Sequence, residues 1–186
     1  MSIDVPKRAD AVRNRERVVV AAAAVFAERG IEASVPEVAA RAGVGKATVY
    51  RSFPTKEHLV AAVVIERMED FARHARALLD EPDAAAALRE LMEEKAVEHC
   101  VDRTVASALE AGASPDLLAD ARRRVWDAVG ELMDRAKAQG TIRESATAED
   151  LRVLWGGAAR MLTADDVHDP DEWRRYAGLV LDALRP

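Results

Sequence analysis

At 186 residues the chain can bury one sizeable core, or a small module joined to a larger body, and is too short for two large independent domains. Ala, Leu, Glu and Arg are prominent and aromatic residues make up only 4%, which argues against a β-rich fold and predicts an all-α one of about nine helices. The formal charge of −6 excludes a uniformly basic nucleic-acid binder, yet residues 1–58 hold 10 Lys+Arg against 7 Asp+Glu while the remainder holds 17 against 26, so only the front can approach phosphate.

The first helix is expected from about Val12 to Glu28, because Val18, Val19, Ala22, Val25 and Phe26 repeat at helical spacing. Asp10 is placed to cap its start and Gly30 its end. Ser34-Val35-Pro36-Glu37 then has the capping-box form, with a hydroxyl followed three residues on by a carboxylate, and proline is harmless in a first turn. A short second helix therefore starts at Val35 and ends at Gly43. Val44-Gly45 turns the chain into a third short helix, about Lys46 to Ser52, which Pro54 stops. Thr55 caps a long fourth helix carrying Val60, Val64, Met68, Phe71, Ala75 and Leu78, broken at Pro82.

A fifth helix is expected from Asp83 to Val101, and a connector from Thr104 to Glu110 that ends at Gly112. Ser114-Pro115 opens a long seventh helix closed by Gly140. Thr147 caps an eighth, with Leu151, Leu154, Trp155, Ala158 and Leu162 on its apolar face. A loop is expected over residues 163–168, before Asp169-Pro170 opens the last helix. Helices with short breaks and no alternating strands describe a helical array.

The single cysteine, Cys100, cannot close an intramolecular disulfide, which fits a reducing cytoplasm. Basic residues precede the apolar run from Val18 to Ala27, but Asp4, Asp10 and Glu16 interrupt them, the run ends in Glu28-Arg29 and no small-residue cleavage pattern follows. Neither export nor a membrane span is expected.

Two short helices joined by a tight glycine turn and supported by a longer helix specify a helix-turn-helix. Val49 and Phe53 face inward, so Ala47, Thr48, Tyr50 and Arg51 project outward, with Lys46 at the exposed start. Hydroxyls, a phenol and cations on such a ridge suit base edges and phosphates. The stretch from Val44 through Lys46-Ala47-Thr48-Val49-Tyr50-Arg51-Ser52-Phe53-Pro54-Thr55-Lys56-Glu57 to Leu59, with Val25-Phe26-Ala27-Glu28-Arg29-Gly30 before it, resembles the tetracycline-repressor (TetR) family.

That resemblance implies a DNA-binding domain over residues 1–55 and a ligand-binding and dimerisation domain over residues 56–186. It implies a homodimer on double-stranded operator DNA, with the last two helices of each subunit forming a four-helix interface. Base-reading and backbone contacts fall on Lys46, Ala47, Thr48, Tyr50 and Ser52, and phosphate contacts on Lys56 and Ser34. Gly45 departs from the pattern, since the family often has a serine there as cap and phosphate donor. Tyr50 packed against the first helix and Lys56 as a solvated lysine are the plainer alternatives, and the basic stretch before the first helix is either a DNA-tracking arm or a disordered terminus.

The rest of the chain says less. Phe71, Leu88, Met92, Cys100, Leu109, Trp126, Met133 and Trp155 are large or soft apolar groups, suited either to a pocket for an apolar or aromatic effector or to plain core. Gly156-Gly157-Ala158-Ala159 offers a small surface for a second helix. With Trp155 and Leu162 beside it, and Trp173, Ala177, Val180, Leu181 and Leu184 on the last helix, it forms the expected dimer face. Glu98-His99-Cys100 does not read as a metal site, because consecutive helical residues point apart. No catalytic or cofactor pattern is present, so the chain reads as a non-enzyme without cofactor or metal. A helical small-molecule-binding protein without DNA contact and a small enzyme using the same pocket are the rival readings.

Overall fold

The computed structural model describes the backbone of residues 5–110 and 115–186, and the side chains of residues 10–105, 107–108 and 115–186. Among these the chain forms α1 (Val5–Arg29), α2 (Val35–Ala42), α3 (Lys46–Ser52), α4 (Lys56–Ala77), a 3-10 turn (Leu78–Asp80), α5 (Ala84–Val101), α6 (Thr104–Glu110), α7 (Pro115–Ala138), α8 (Ala148–Ala164) and α9 (Pro170–Asp182), with no strand. The fold is all-α, as composition and periodicity require. No described helix is long and apolar enough to cross a membrane.

Two boundaries depart from expectation. The first helix begins at Val5, with Pro6 in its opening turn where a missing N–H costs nothing. Asp10 therefore lies inside it and pairs with Arg13 one turn on instead of capping it. The eighth helix runs through Thr163 to Ala164, because nothing breaks it before Asp165 and Asp166, whose φ of 55° turns the chain away. Gly112 and Ser114, expected to end one helix and start the next, lie outside the described residues.

Contacts divide the chain into two compact units, residues 1–67 with 103–118 and residues 68–102 with 119–186. In the first, α1 supplies Val18, Ala22, Val25 and Phe26 to a core completed by Val35, Val38, Val49, Phe53, Leu59 and Val64, all buried. Ridges of this kind bring roughly 1.5–3 kcal/mol per large side chain removed from water, which is why a unit built of such short helices is stable.

In the second unit α5 packs extensively on α9, and α8 joins both. Leu88, Leu91, Met92, Leu132, Met133, Leu151, Trp173 and Leu184 are its large buried members. The turn between α4 and α5 is held by α7: Arg135 donates to the carbonyls of Leu79 and Glu81, and Gln139 both donates to the Pro82 carbonyl (2.7 Å) and accepts from the Ala84 N–H (3.0 Å). Asp83 caps α5 by accepting from the Ala86 N–H at 2.9 Å. All three tryptophans, Trp126, Trp155 and Trp173, belong to this unit.

Candidate nucleic-acid interface

The turn between α2 and α3 is closed by local backbone hydrogen bonds and one long-range cation. Gly43 sits at φ 64°, a conformation that side chains disfavour, and from it the Gly43 N–H donates to the Ala40 carbonyl (3.2 Å) and the Val44 N–H to the Ala39 carbonyl (3.0 Å). The remaining Ala42 carbonyl accepts from Arg17 Nη2 at 2.7 Å. Glycine at position 45 leaves α3 without a side-chain cap at its start. At its end, Arg15 donates to the Ser52 carbonyl (3.1 Å) and lays its guanidinium 4.3 Å from the Phe53 ring centroid.

Arg15 and Arg17 were not legible as such from the sequence, where they read as part of a basic stretch. Their partners lie 37 and 25 residues away. Two cations of α1 thus hold the carboxy-terminal ends of α2 and α3, and the carbonyl ends of helices favour positive charge.

Val49 is fully buried and Phe53 is 2% exposed, which fixes the rotation of α3. Lys46, Ala47, Tyr50 and Arg51 are exposed and Thr48 and Ser52 half-buried on the opposite side. Tyr50 is 39% exposed and carries the Lys46 ammonium 5.6 Å from its ring centroid, so it stands on the ridge. Lys56 starts α4 with its ammonium 3.7 Å from Glu32. Ser34 is exposed at the start of α2, and the Glu37 carboxylate accepts from both its N–H (2.8 Å) and its hydroxyl (2.6 Å). Those bonds, with Arg29 alongside, hold Glu37 down to about 2.

The residues expected to line a pocket fall differently. Leu88, Met92, Cys100, Met133 and Trp155 are buried members of the core of the second unit, and Phe71 and Trp126 are half-buried against it. The side chain of Leu109 lies outside the described residues. His99 is half-buried beside them: its ring stacks on Trp173 (6.1 Å, 15°) and meets the edge of Trp155 (5.9 Å), and Nδ1–H donates to the Lys95 carbonyl (3.1 Å). Burial first, and the Lys95 charge next, push His99 down to about 4. A surface groove of about 460 Å³ in this unit is lined by none of the expected residues but by Ala86, Arg89, Glu90, Glu93, Glu94, Val97 and Arg174.

Of the residues expected to form a dimer face, Trp155, Leu162, Trp173, Ala177, Val180, Leu181 and Leu184 are packed inside this chain's own core. The apolar stripe that marks a buried face is taken by the intrachain packing of α5, α8 and α9. Ala158 and Ala159 are half-buried, and Gly156 and Gly157 are exposed with nothing within 4 Å of where a Cβ would stand. Around the glycines the outer side of α8 exposes Val153 (56%), Leu154 (40%) and Met161 (59%), and α9 exposes Leu179 (49%).

Residues 18–63 match the family described as "Bacterial regulatory proteins, tetR family", and residues 83–186 match "Transcriptional regulator SbtR-like, C-terminal domain". Among solved structures, a TetR transcriptional regulator of Streptomyces coelicolor is 33% identical, with 92% of this chain and 98% of that one covered at a TM-score of 0.68. A TetR transcription regulatory protein of Mycobacterium vanbaalenii is 32% identical, with 97% and 100% covered at a TM-score of 0.69. SmeT, the repressor of the Stenotrophomonas maltophilia multidrug efflux pump SmeDEF, is 25% identical, with 91% and 87% covered at 0.68. No curated protein matches the chain.

Proposed function

The chain belongs to the TetR family of bacterial regulatory proteins, and from that premise we propose that it is a cytoplasmic, homodimeric repressor released from its operator by a small apolar or aromatic effector. The observation that carries the DNA reading is the orientation of α3: Val49 and Phe53 are anchored inward, and Lys46, Ala47, Thr48, Tyr50, Arg51 and Ser52 occupy the outer side. A major groove admits one helix of this kind, with the polar side chains reading base edges. Lys56 contributes a phosphate contact, for which it exchanges Glu32, and Ser34 must likewise exchange Glu37 for phosphate.

A second copy is needed because two reading helices must meet successive major grooves about 34 Å apart. The exposed stripe of Val153, Leu154, Gly157 and Met161 on α8, with Leu179 on α9, is the surface through which we pair the copies. It is apolar, and its glycine admits close approach of a partner helix. The effector acts beside the half-buried Phe71 and Trp126, whose neighbours Met92 and Met133 are the side chains best able to repack. The first residues of α4 belong to one compact unit and its last to the other, so an effector that shifts α4 changes the presentation of α3 and weakens operator binding by reciprocal coupling. The reading assigns residues 1–55 to DNA and 56–186 to effector and partner, with no catalytic role.

A gel shift on duplexes from the gene's own upstream region tests this. Wild-type protein is expected to bind one duplex selectively and two half-sites better than one. Tyr50→Ala should lose sequence preference, while Lys56→Ala should weaken all duplexes and lower the salt slope by about one. Wild-type protein that ignores every duplex at low salt would leave a helical small-molecule-binding protein as the reading.

A further inference from the structure

In the second unit, three metal-ligating side chains from two helices converge outside everything assigned so far. His74 near the end of α4 places Nδ1 3.2 Å from a carboxylate oxygen of Glu94 on α5, and Glu90, one turn before Glu94, completes a group whose ligand atoms all lie within 4.8 Å of one another. We propose that His74, Glu90 and Glu94 form a binding site for a divalent transition ion of the zinc type, a property independent of the DNA reading.

Charge supports this first. Most exposed acids near an arginine in this chain are answered one turn on, as in Asp10–Arg13, Asp70–Arg73, Glu149–Arg152, Asp171–Arg174 and Glu172–Arg175. Among the described residues no Lys or Arg forms an ion pair with Glu90 or Glu94: Arg89 and Arg174 line the groove beside them but pair with Glu93, Asp182 and Asp171, and His74 is the basic group in contact with Glu94. Two carboxylates at i,i+4 repel each other, so the pair is left wanting a cation that the chain itself supplies elsewhere by arginine.

Geometry supports it next. Ligands about 2.1 Å from a tetrahedral ion stand about 3.4 Å apart, close to the His74–Glu94 separation, and rotation about side-chain bonds brings in Glu90. The helices that carry the three are fixed independently of any ion: Arg135 and Gln139 clamp the turn between α4 and α5, and Asp83 caps α5. A site built on two clamped helices loses little freedom on loading. One imidazole and two carboxylates select zinc-like ions over calcium or magnesium, which take oxygen ligands. Two of the three residues are exposed, so the fourth position is open to water.

Zinc alone, titrated into the full chain in competition with a chromophoric chelator, tests the assignment. One equivalent per chain is expected, with His74→Ala and Glu94→Gln each weakening affinity at least tenfold and Glu90→Gln weakening it too. Cys100→Ser and His168→Ala should leave it unchanged, and cobalt in place of zinc should give a spectrum without a thiolate band. Circular dichroism of every variant checks that the helices persist, which the exposed Glu90 and Glu94 should allow. The proposal is overturned if wild type takes up no stoichiometric zinc, if His74→Ala binds as wild type does, or if cobalt shows thiolate ligation.

Discussion

The two compact units solve opposite problems with the same secondary structure. The first keeps its chemistry on the surface: α2 and α3 are eight and seven residues long, bury one side each, turn at Gly43 and are tied at their carboxy-terminal ends by two arginines from α1. The second turns its large groups inward, and even a half-buried histidine packs its ring against two indoles. The difference shows where an altered side chain will be felt. In the reading head it changes what is bound, and in the body it changes whether the unit holds together.

The largest test of that contrast is Trp173→Ala. Trp173 is fully buried, and its indole N–H donates to the Val167 carbonyl at 2.9 Å. Removing it should cost about 3–5 kcal/mol, read as faster hydrogen exchange of α5 and α9 amides with those of α2 and α3 unmoved. Equal loss in both units would erase the distinction drawn between them.

His99 gives a somewhat smaller effect with a defined sign. Its folded value of about 4 lies below the ordinary 6.5, so between those values the unfolded chain takes up a proton that the folded one refuses. Stability is therefore full above pH 6.5 and falls by about 3 kcal/mol as the pH drops to 4. Denaturation midpoints of His99→Phe across that window should be flatter than those of wild type. A wild-type profile already flat there would show that the indoles tolerate the charge.

Arg15→Met should act least and only on the head. It removes one bond to a helix-end carbonyl and a cation over Phe53, about 1 kcal/mol, seen as roughly fivefold weaker operator binding. Arg15→Lys, which keeps the cation, should recover part of it, whereas α5 and α9 exchange should not change.

The head was largely readable beforehand because its determinants are local. Ser34, Gly43, Pro54 and the spacing of Val49 to Phe53 each constrain the chain within a few residues of themselves. The body was not, for two physical reasons. An apolar stripe says that a face avoids water but not what covers it, so Trp173, Leu181 and Leu184 looked equally suited to a partner copy and to α5. Of the large apolar side chains that do reach solvent on α8, Val153 and Met161 lie off that stripe, whereas Leu154, expected on the buried face, is 40% exposed. The His74, Glu90 and Glu94 group depends on side chains of two helices converging, of which the sequence displays only the four-residue step between the glutamates. Arg15 and Arg17 were hidden in the same way by partners far along the chain.

Because every indole of this protein falls in the second unit, while Tyr50 lies in the first, fluorescence excited at the red edge, where tryptophan alone absorbs, reports from one unit alone. The emission is blind to events confined to the reading head and open to events around Trp126, Trp155 and Trp173. Duplex added without effector and effector added without duplex thus become separable optical experiments on unlabelled protein. A spectral change on adding DNA would itself be a direct sign that the second unit had felt it.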